Sequence, residues 1–249
     1  MATKTGGQGQ GLKTPSPERP NKISAGRIIA GGWRRAGYWV RYLRFGTSKG
    51  VSPLVDFLCG NSFIPAYQQK DELRAFGEIL AAQSPESALE IGTYFGGTLF
   101  FLTRLASPHA TIISVDLPGG KFGGKYSPLR AWTYKRFARR RQRLEILQGD
   151  SHSLEMLNCV KGVLAGQPLD YLFIDGDHTY GGVKRDFDQY ACLVRGGGII
   201  AMHDIAEHSP ESGCDVFRFW NEIKLQYRHR EIINDPKQGW AGIGVLYVD

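Results

Sequence analysis

The chain has 249 residues, 42% hydrophobic and 22% charged, which is enough apolar material for one main core. No run of about 18 or more apolar residues occurs, so a transmembrane helix is not expected, and 32 glycines and 12 prolines fall too irregularly for a collagen-like or wholly disordered chain. The net charge of +7 is local: residues 1–50 hold ten Lys/Arg against one acid, Glu18, and the remainder is slightly acidic, so no nucleic-acid partner is expected.

Residues 1–25 are polar and rich in Gly and Pro, which reads as a disordered tail. They contain no apolar h-region of a secretory signal, so a cytoplasmic protein is expected. Residues 26–70 form a basic, aromatic arm. Within it Gly26–Phe45 (GRIIAGGWRRAGYWVRYLRF) predicts a short amphipathic helix. Two readings stand for it: peripheral contact with the inner face of a membrane or with a partner, and a helix packed on its own domain with a solvated basic face. Four scattered cysteines, Cys59, Cys159, Cys192 and Cys214, lack zinc-site spacing and read as reduced thiols.

From Asp71 to residue 249 strand and helix signals alternate, as in a parallel sheet covered by helices. Asp71 is placed to cap a helix to about Gln83. Strands are expected at Ser87–Ile91, Thr111–Val115, Leu144–Leu147, Tyr171–Ile174 and Gly198–Met202. Helices are expected at Gly96–Ala106, Ser151–Ala165, Gly182–Leu193 and Asp215–Tyr227, and two last strands at Glu231–Ile233 and Ile243–Val248.

In open α/β sheets ligands bind at the carboxyl ends of the strands, and here every such end carries polar groups. The first strand runs into Glu90-Ile-Gly92-Thr-Tyr94-Phe-Gly96, where glycines let the backbone turn closely and a helix N-terminus offers N–H groups. Asp116 ends the second strand, where an acid can take the hydroxyls of a ribose. Asp150 and Ser151 follow the third strand, Asp175 to His178 the fourth, and His203-Asp204 the fifth. An Asp at one strand end is often only a helix cap; five successive polar ends are poorly explained as five caps.

These elements (LEIGTYFGG, SVDLP, LQGDS, YLFIDGDHTYGGVKRDF and LVRGGGIIAMHD, with the terminal GWAGIGVLYV) resemble the class I S-adenosylmethionine-dependent methyltransferases, in particular the O-methyltransferase branch with the catechol-type, macrolide-sugar and cephalosporin-type enzymes. The resemblance implies a Rossmann-like, doubly wound α/β sheet, mostly parallel with an antiparallel last strand. It also implies S-adenosylmethionine as cofactor. Glu90, Gly92, Tyr94 and Gly96 would line its methionine and sulfonium side, Asp116 would hold the ribose, and Asp150 and Ser151 would flank the adenine, with Asp175 closing the site. The turn reads E-x-G-x-x-x-G rather than the G-x-G-x-x-G of dinucleotide dehydrogenases.

Metal-dependent members of that branch bind a divalent cation through positions matching Asp175, His203 and Asp204. Such a cation, Mg²⁺ or Mn²⁺, would orient an acceptor hydroxyl and lower its pKa; the imidazole of His203 departs from the family's acid or amide and suits Mn²⁺, Fe²⁺ or Zn²⁺ better. His178 matches the general base of the macrolide-sugar enzymes, and its ordinary pKa of about 6.5 suits that role. His178 and Asp204 are therefore the expected catalytic pair, with the alternative that His178 only caps the next helix. His109, His152, His208 and His229 read as structural or surface residues.

Lys121–Arg143 carries nine Lys/Arg and no acid, interleaved with aromatics. It reads either as a lid for an acidic acceptor or an anionic membrane, or as a solvated basic helix with RFARRRQR on its outer face. The expected function is O-methylation of a small hydroxylated acceptor: a sugar, a glycoconjugate or a secondary metabolite. Its rivals are a cephalosporin-hydroxylase-like member with a different reaction, an inactive cofactor-binding scaffold working through the basic arm, and, weakest, a dehydrogenase. A homo-oligomer is compatible with the resemblance.

Overall fold

A computed structural model describes residues 50–119 and 128–249. The expected tail and the Gly26–Phe45 helix lie outside the described residues, as do residues 121–127 of the basic segment. Numbered within the described residues, the elements are α1 (Val51–Cys59), α2 (Lys70–Gln83), β1 (Ser87–Ile91), α3 (Gly97–Leu105), β2 (Thr111–Asp116), α4 (Pro128–Lys135), β3 (Arg143–Gln148), α5 (Leu154–Leu164), β4 (Leu169–Ile174), α6 (Tyr180–Tyr190), β5 (Val194–His203), α7 (Val216–Ile223), β6 (Arg228–Ile232) and β7 (Ile243–Tyr247).

The seven strands lie in the order β3-β2-β1-β4-β5-β7-β6. β1 to β5 are parallel, and β7 enters antiparallel between β5 and β6. This is the doubly wound architecture expected from the strand–helix alternation. Central strands are covered on both faces, so every residue of β1 (SALEI) and β4 (LDYLFI) is buried. The outer strand β6 (RHREI) instead leaves four of its five residues exposed, among them Arg228, Arg230 and Glu231, whose charges protect an open edge.

α7 lays Val216, Phe219, Trp220 and Ile223 as one apolar stripe on the sheet. Gly244 of β7 makes room for the Trp220 ring, which a Cβ there would meet at 2.5 Å. Trp220 Nε1–H donates to Glu231 at 2.6 Å, so its polar atom is satisfied.

Several local expectations shift. Asp71 does not cap α2: Gln69 is the N-cap, and Asp71 accepts from Arg74 within the first turn. α5 begins after Ser153, whose hydroxyl accepts the Met156 N–H at 3.1 Å, rather than at Ser151. α6 begins at Tyr180 under a Thr179 cap. α1 lies inside the stretch 26–70 expected as a basic, aromatic helical arm, where no helix bounds were expected beyond Phe45; it buries Leu54, Val55 and Leu58 and sets Phe57 against Phe100 of α3. Among the described residues all four cysteines are free thiols, and no helix is long and apolar enough to cross a membrane.

Candidate active site

A cleft of about 360 Å³ opens at the carboxyl ends of β1, β2, β3 and β4, within the size range of small-ligand sites. Gly92, Tyr94, Asp116, Asp150, Ser151 and Asp175 all line it. The turn after β1 is held by close backbone contacts. Gly92 has φ 91°, and a Cβ there would lie 2.0 Å from the Asp175 carbonyl oxygen. Only glycine permits that approach. Gly96 (φ 80°) serves packing: a Cβ would meet the Tyr134 ring at 2.5 Å.

Asp116 does structural as well as cleft-facing work, because its Oδ2 accepts the N–H groups of Thr93 (3.2 Å) and Tyr94 (2.8 Å). Tyr94 is left-handed at φ 44°, and its carbonyl accepts the Tyr134 hydroxyl at 2.8 Å. Glu90 and Gly96, both expected on the methionine side, sit behind this turn and outside the cleft lining. Glu90 is 1% exposed, and burial pushes its carboxyl up to about 8, so it stands neutral at neutral pH.

A second set of side chains adjoins the cleft at Asp175. Asp175 Oδ1 lies 3.4 Å from His178 Nε2 and 3.2 Å from His203 Nδ1. Asp204 Oδ2 lies 3.1 Å from His178 Nδ1, while its Oδ1 lies 3.4 Å from His203 Nδ1 and 3.3 Å from His208 Nε2. Asp204 is itself left-handed (φ 62°), and its Oδ1 accepts the Ala241 N–H at 3.1 Å. Burial alone would discharge His178, but the hydrogen bond to Asp175 and the charges of Asp175 and Asp204 outweigh it and push the imidazole up to about 9. His203 is raised in the same contest between burial and the two carboxylates, and both aspartates are lowered by the imidazoles despite burial.

Donor atoms of Asp175, His203 and Asp204 lie within 4.8 Å of one another, as do those of His178, Asp204 and Cys214. His203 Nε2 is buried without a hydrogen-bond partner. Carboxylate and imidazole donors brought this close fit one divalent cation, and the nitrogen makes Mn²⁺, Fe²⁺ or Zn²⁺ a better match than Mg²⁺.

Residues 89–205 match a family model described as a methyltransferase domain. Over that segment the chain is a methyltransferase of the S-adenosylmethionine-dependent kind. Solved structures agree in fold. An O-methyltransferase from Bacillus cereus in complex with SAH is 17% identical with TM-score 0.54, covering 79% of this chain and 90% of that one. TomG, an O-methyltransferase from Streptomyces achromogenes involved in tomaymycin synthesis and solved with SAM, is 15% identical with TM-score 0.50, covering 71% and 81%. The MycE methyltransferase of the mycinamycin pathway, solved with Mg and SAH, is 16% identical with TM-score 0.51, covering 94% of this chain and 66% of that one.

Sequence reasoning overlooked three contributors to the methyltransferase site. His152 lines the cleft, His208 contacts Asp204, and Gln68, buried ahead of α2, donates from Nε2 to Asp175 Oδ2 at 3.3 Å. Gln68 and His152 meet acids of distant segments, Asp175 and Asp186, so no local motif marks them; His208 stands only four positions after its acid, Asp204. The basic segment of the methyltransferase also differs from a solvated helix bearing RFARRRQR. The helix is α4, and 136–142 continue as turns and bends up to the start of β3. Phe137 is buried, the Arg139 guanidinium donates to the Ala106 carbonyl, and Gln142 Nε2 donates to the Thr103 and Ser107 carbonyls, while Arg140 and Arg141 stay exposed.

Proposed function

We propose that this methyltransferase acts on oxygen, moving the methyl group of S-adenosylmethionine to a hydroxyl of a small acceptor such as a sugar, a glycoconjugate or a secondary metabolite, with help from a divalent cation. The observation that carries the proposal is the double membership of Asp175, which lines the cofactor cleft and contacts the imidazoles of His178 and His203. A methyl donor in the cleft would thus lie against the group able to accept the hydroxyl proton.

In this reading Asp116 holds the ribose, Gly92 and Tyr94 bound the sulfonium side, and Asp150 and Ser151 flank the adenine. The acceptor oxygen attacks the methyl carbon in line with the breaking S–C bond. His178 takes the hydroxyl proton, and S-adenosylhomocysteine leaves. Proximity and an activated oxygen account for most of the rate, so no covalent enzyme intermediate is required. Asp175, His203 and Asp204 would hold the cation, which orients the acceptor and lowers its pKa. Positive charge on the two aspartates would also remove what keeps His178 protonated, bringing its pKa back toward neutrality.

Calorimetric titration of EDTA-treated protein with S-adenosylhomocysteine, repeated with Mg²⁺ and with Mn²⁺, tests the cofactor and cation. Transfer of labelled methyl from S-adenosylmethionine to a panel of sugars and catechols tests the acceptor. Micromolar binding with label in a hydroxylated acceptor supports the proposal; absence of cofactor binding under every condition overturns it.

A further inference from the structure

The segment between β5 and α7 brings two donors, His208 and Cys214, that the methyl-transfer reading leaves unused. Cys214 stands just ahead of α7, and its neighbour Asp215 donates its backbone N–H to the His178 carbonyl at 2.8 Å. That bond ties the thiol to the loop after β4, and donor atoms of Cys214, His178 and Asp204 lie within 4.8 Å of one another. His208 Nδ1 lies 2.8 Å from the Ala206 carbonyl, while its Nε2 lies 3.3 Å from Asp204 Oδ1 and the ring interacts with the Cys214 thiol. A carbonyl only accepts, so Nδ1 carries a proton and Nε2 is the nitrogen left to a metal. Backbone carbonyls fix ligand histidines in this same orientation.

One sulfur, two imidazole nitrogens and a carboxylate oxygen are donor types of a four-coordinate zinc site. Tetrahedral ligands about 2.0–2.3 Å from zinc stand about 3.3–3.8 Å apart. The 3.1 Å from His178 Nδ1 to Asp204 Oδ2 and the 3.3 Å from His208 Nε2 to Asp204 Oδ1 already approach that spacing. Thiolate is a soft ligand that discriminates against Mg²⁺ and Mn²⁺, and His178 and Cys214 are only half-buried, which leaves an entry path. Folding gathers the set from four positions, so cysteine spacing gives no sign of it. We infer that Cys214, His208, His178 and Asp204 form a Zn²⁺ site, sharing only Asp204 with the cation group beside the cleft, and that its occupation withdraws His178 from proton transfer. As the zinc bonds form, Cys214 gives up its thiol proton to solvent, as does each ligating imidazole any second proton it holds. The effect on turnover rests on the role proposed above for His178; the site itself does not.

The test is titration of the reduced, EDTA-treated full chain with Co²⁺, a spectroscopic stand-in for Zn²⁺. Bound cobalt should give a thiolate-to-metal charge-transfer band in the near ultraviolet, which Zn²⁺ abolishes and excess Mg²⁺ leaves in place. Cys214→Ser and Cys214→Ala should both lose the band while melting like the wild type without metal, and His208→Asn should weaken cobalt binding by about tenfold or more. Cys192 is exposed and joins no such donor group among the described residues, so Cys192→Ser should keep the band. Absence of the band in the wild type, or its persistence in either Cys214 variant, overturns the site. In the labelled-methyl assay Zn²⁺ should inhibit the wild type, and Cys214→Ser should need about tenfold more for the same inhibition. Equal sensitivity of the two overturns the withdrawal of His178. A cobalt band in a protein that transfers no methyl group overturns the function proposed above and leaves the site standing.

Discussion

His178 Nδ1 lies 3.1 Å from Asp204 Oδ2, joining the loop after β4 to the end of β5. This contact, with Asp175 on the other ring nitrogen, keeps the imidazole charged to about pH 9 in the metal-free protein. The folded pKa exceeds the ordinary 6.5, so the stabilisation is complete below about 6.5 and is lost as pH rises through about 9. Thermal melts of EDTA-treated protein between pH 6 and 10 should show a falling midpoint over that window, and His178→Gln should flatten it. In turnover, His178→Ala should cost about 10²-fold or more with S-adenosylhomocysteine affinity near normal. Equal loss of both would show that the ring serves the cofactor rather than the proton.

Asp116 holds the Thr93 and Tyr94 amides and is the proposed ribose acceptor, and its variants should separate the two roles. Asp116→Ala removes the ribose acceptor and leaves the Thr93 and Tyr94 amides without theirs. Calorimetry should find S-adenosylhomocysteine binding weakened by about 10²-fold, corresponding to about 2.7 kcal/mol. Asp116→Asn keeps one acceptor oxygen and should lose less.

Gly92→Ala combines a left-handed φ with a collision against the Asp175 backbone. Strain of about 1–3 kcal/mol is expected from the dihedral angle alone, before Asp175 moves. The midpoint of thermal unfolding should drop by several degrees, and cofactor binding should fall with it. A variant as stable as the wild type would show that the turn relaxes without displacing Asp175.

Mixed nitrogen and oxygen donors at Asp175, His203 and Asp204 favour Mn²⁺ over Mg²⁺. At about a hundred times its dissociation constant either ion should add about 2.7 kcal/mol to stability, and Mn²⁺ should reach that effect at lower concentration. Asp175→Asn should remove the shift in a metal-dependent melt.

Three neighbouring arginines should behave differently. Arg139→Gln loses the guanidinium contact with the Ala106 carbonyl at the end of α3 and should destabilise by about 1 kcal/mol. Exposed Arg140 and Arg141 should tolerate the same change within about 0.5 kcal/mol in urea unfolding. A combined triple variant would therefore report on folding before it reported on any acceptor or membrane surface.

The sheet was legible in the sequence because its inner strands are buried on both faces: SALEI and LDYLFI leave continuous apolar runs that polar loops interrupt. α4 was expected only as one reading of the basic segment and without bounds, since its buried Tyr134 stands between the exposed Trp132 and Lys135 and sets no 3.6-residue apolar period. The residues of the cleft wall were legible where chemistry falls at a strand end, as at Asp116, Asp150 and Asp175. Glu90 shows the limit of that rule: it lies inside β1 next to its end, and its carboxyl is buried beside Thr93 and Thr98 rather than facing the cleft lining. His152 was passed over because its acid, Asp186, is identified by folding rather than by spacing, whereas His208 stands four positions after Asp204 in a stretch without regular structure, where spacing alone does not bring two side chains together.

β7 follows every other strand in the chain yet lies inside the sheet, and the residue two positions before it supplies the amide that holds Asp204. During synthesis, β1 to β5 can pair and the glycine turn can close while the flank of β5 is still open. The side chains of the acid–imidazole cluster all precede that strand, but the amide that fixes the left-handed Asp204 does not, so the cluster reaches its full geometry only when the last segment of the chain is seated.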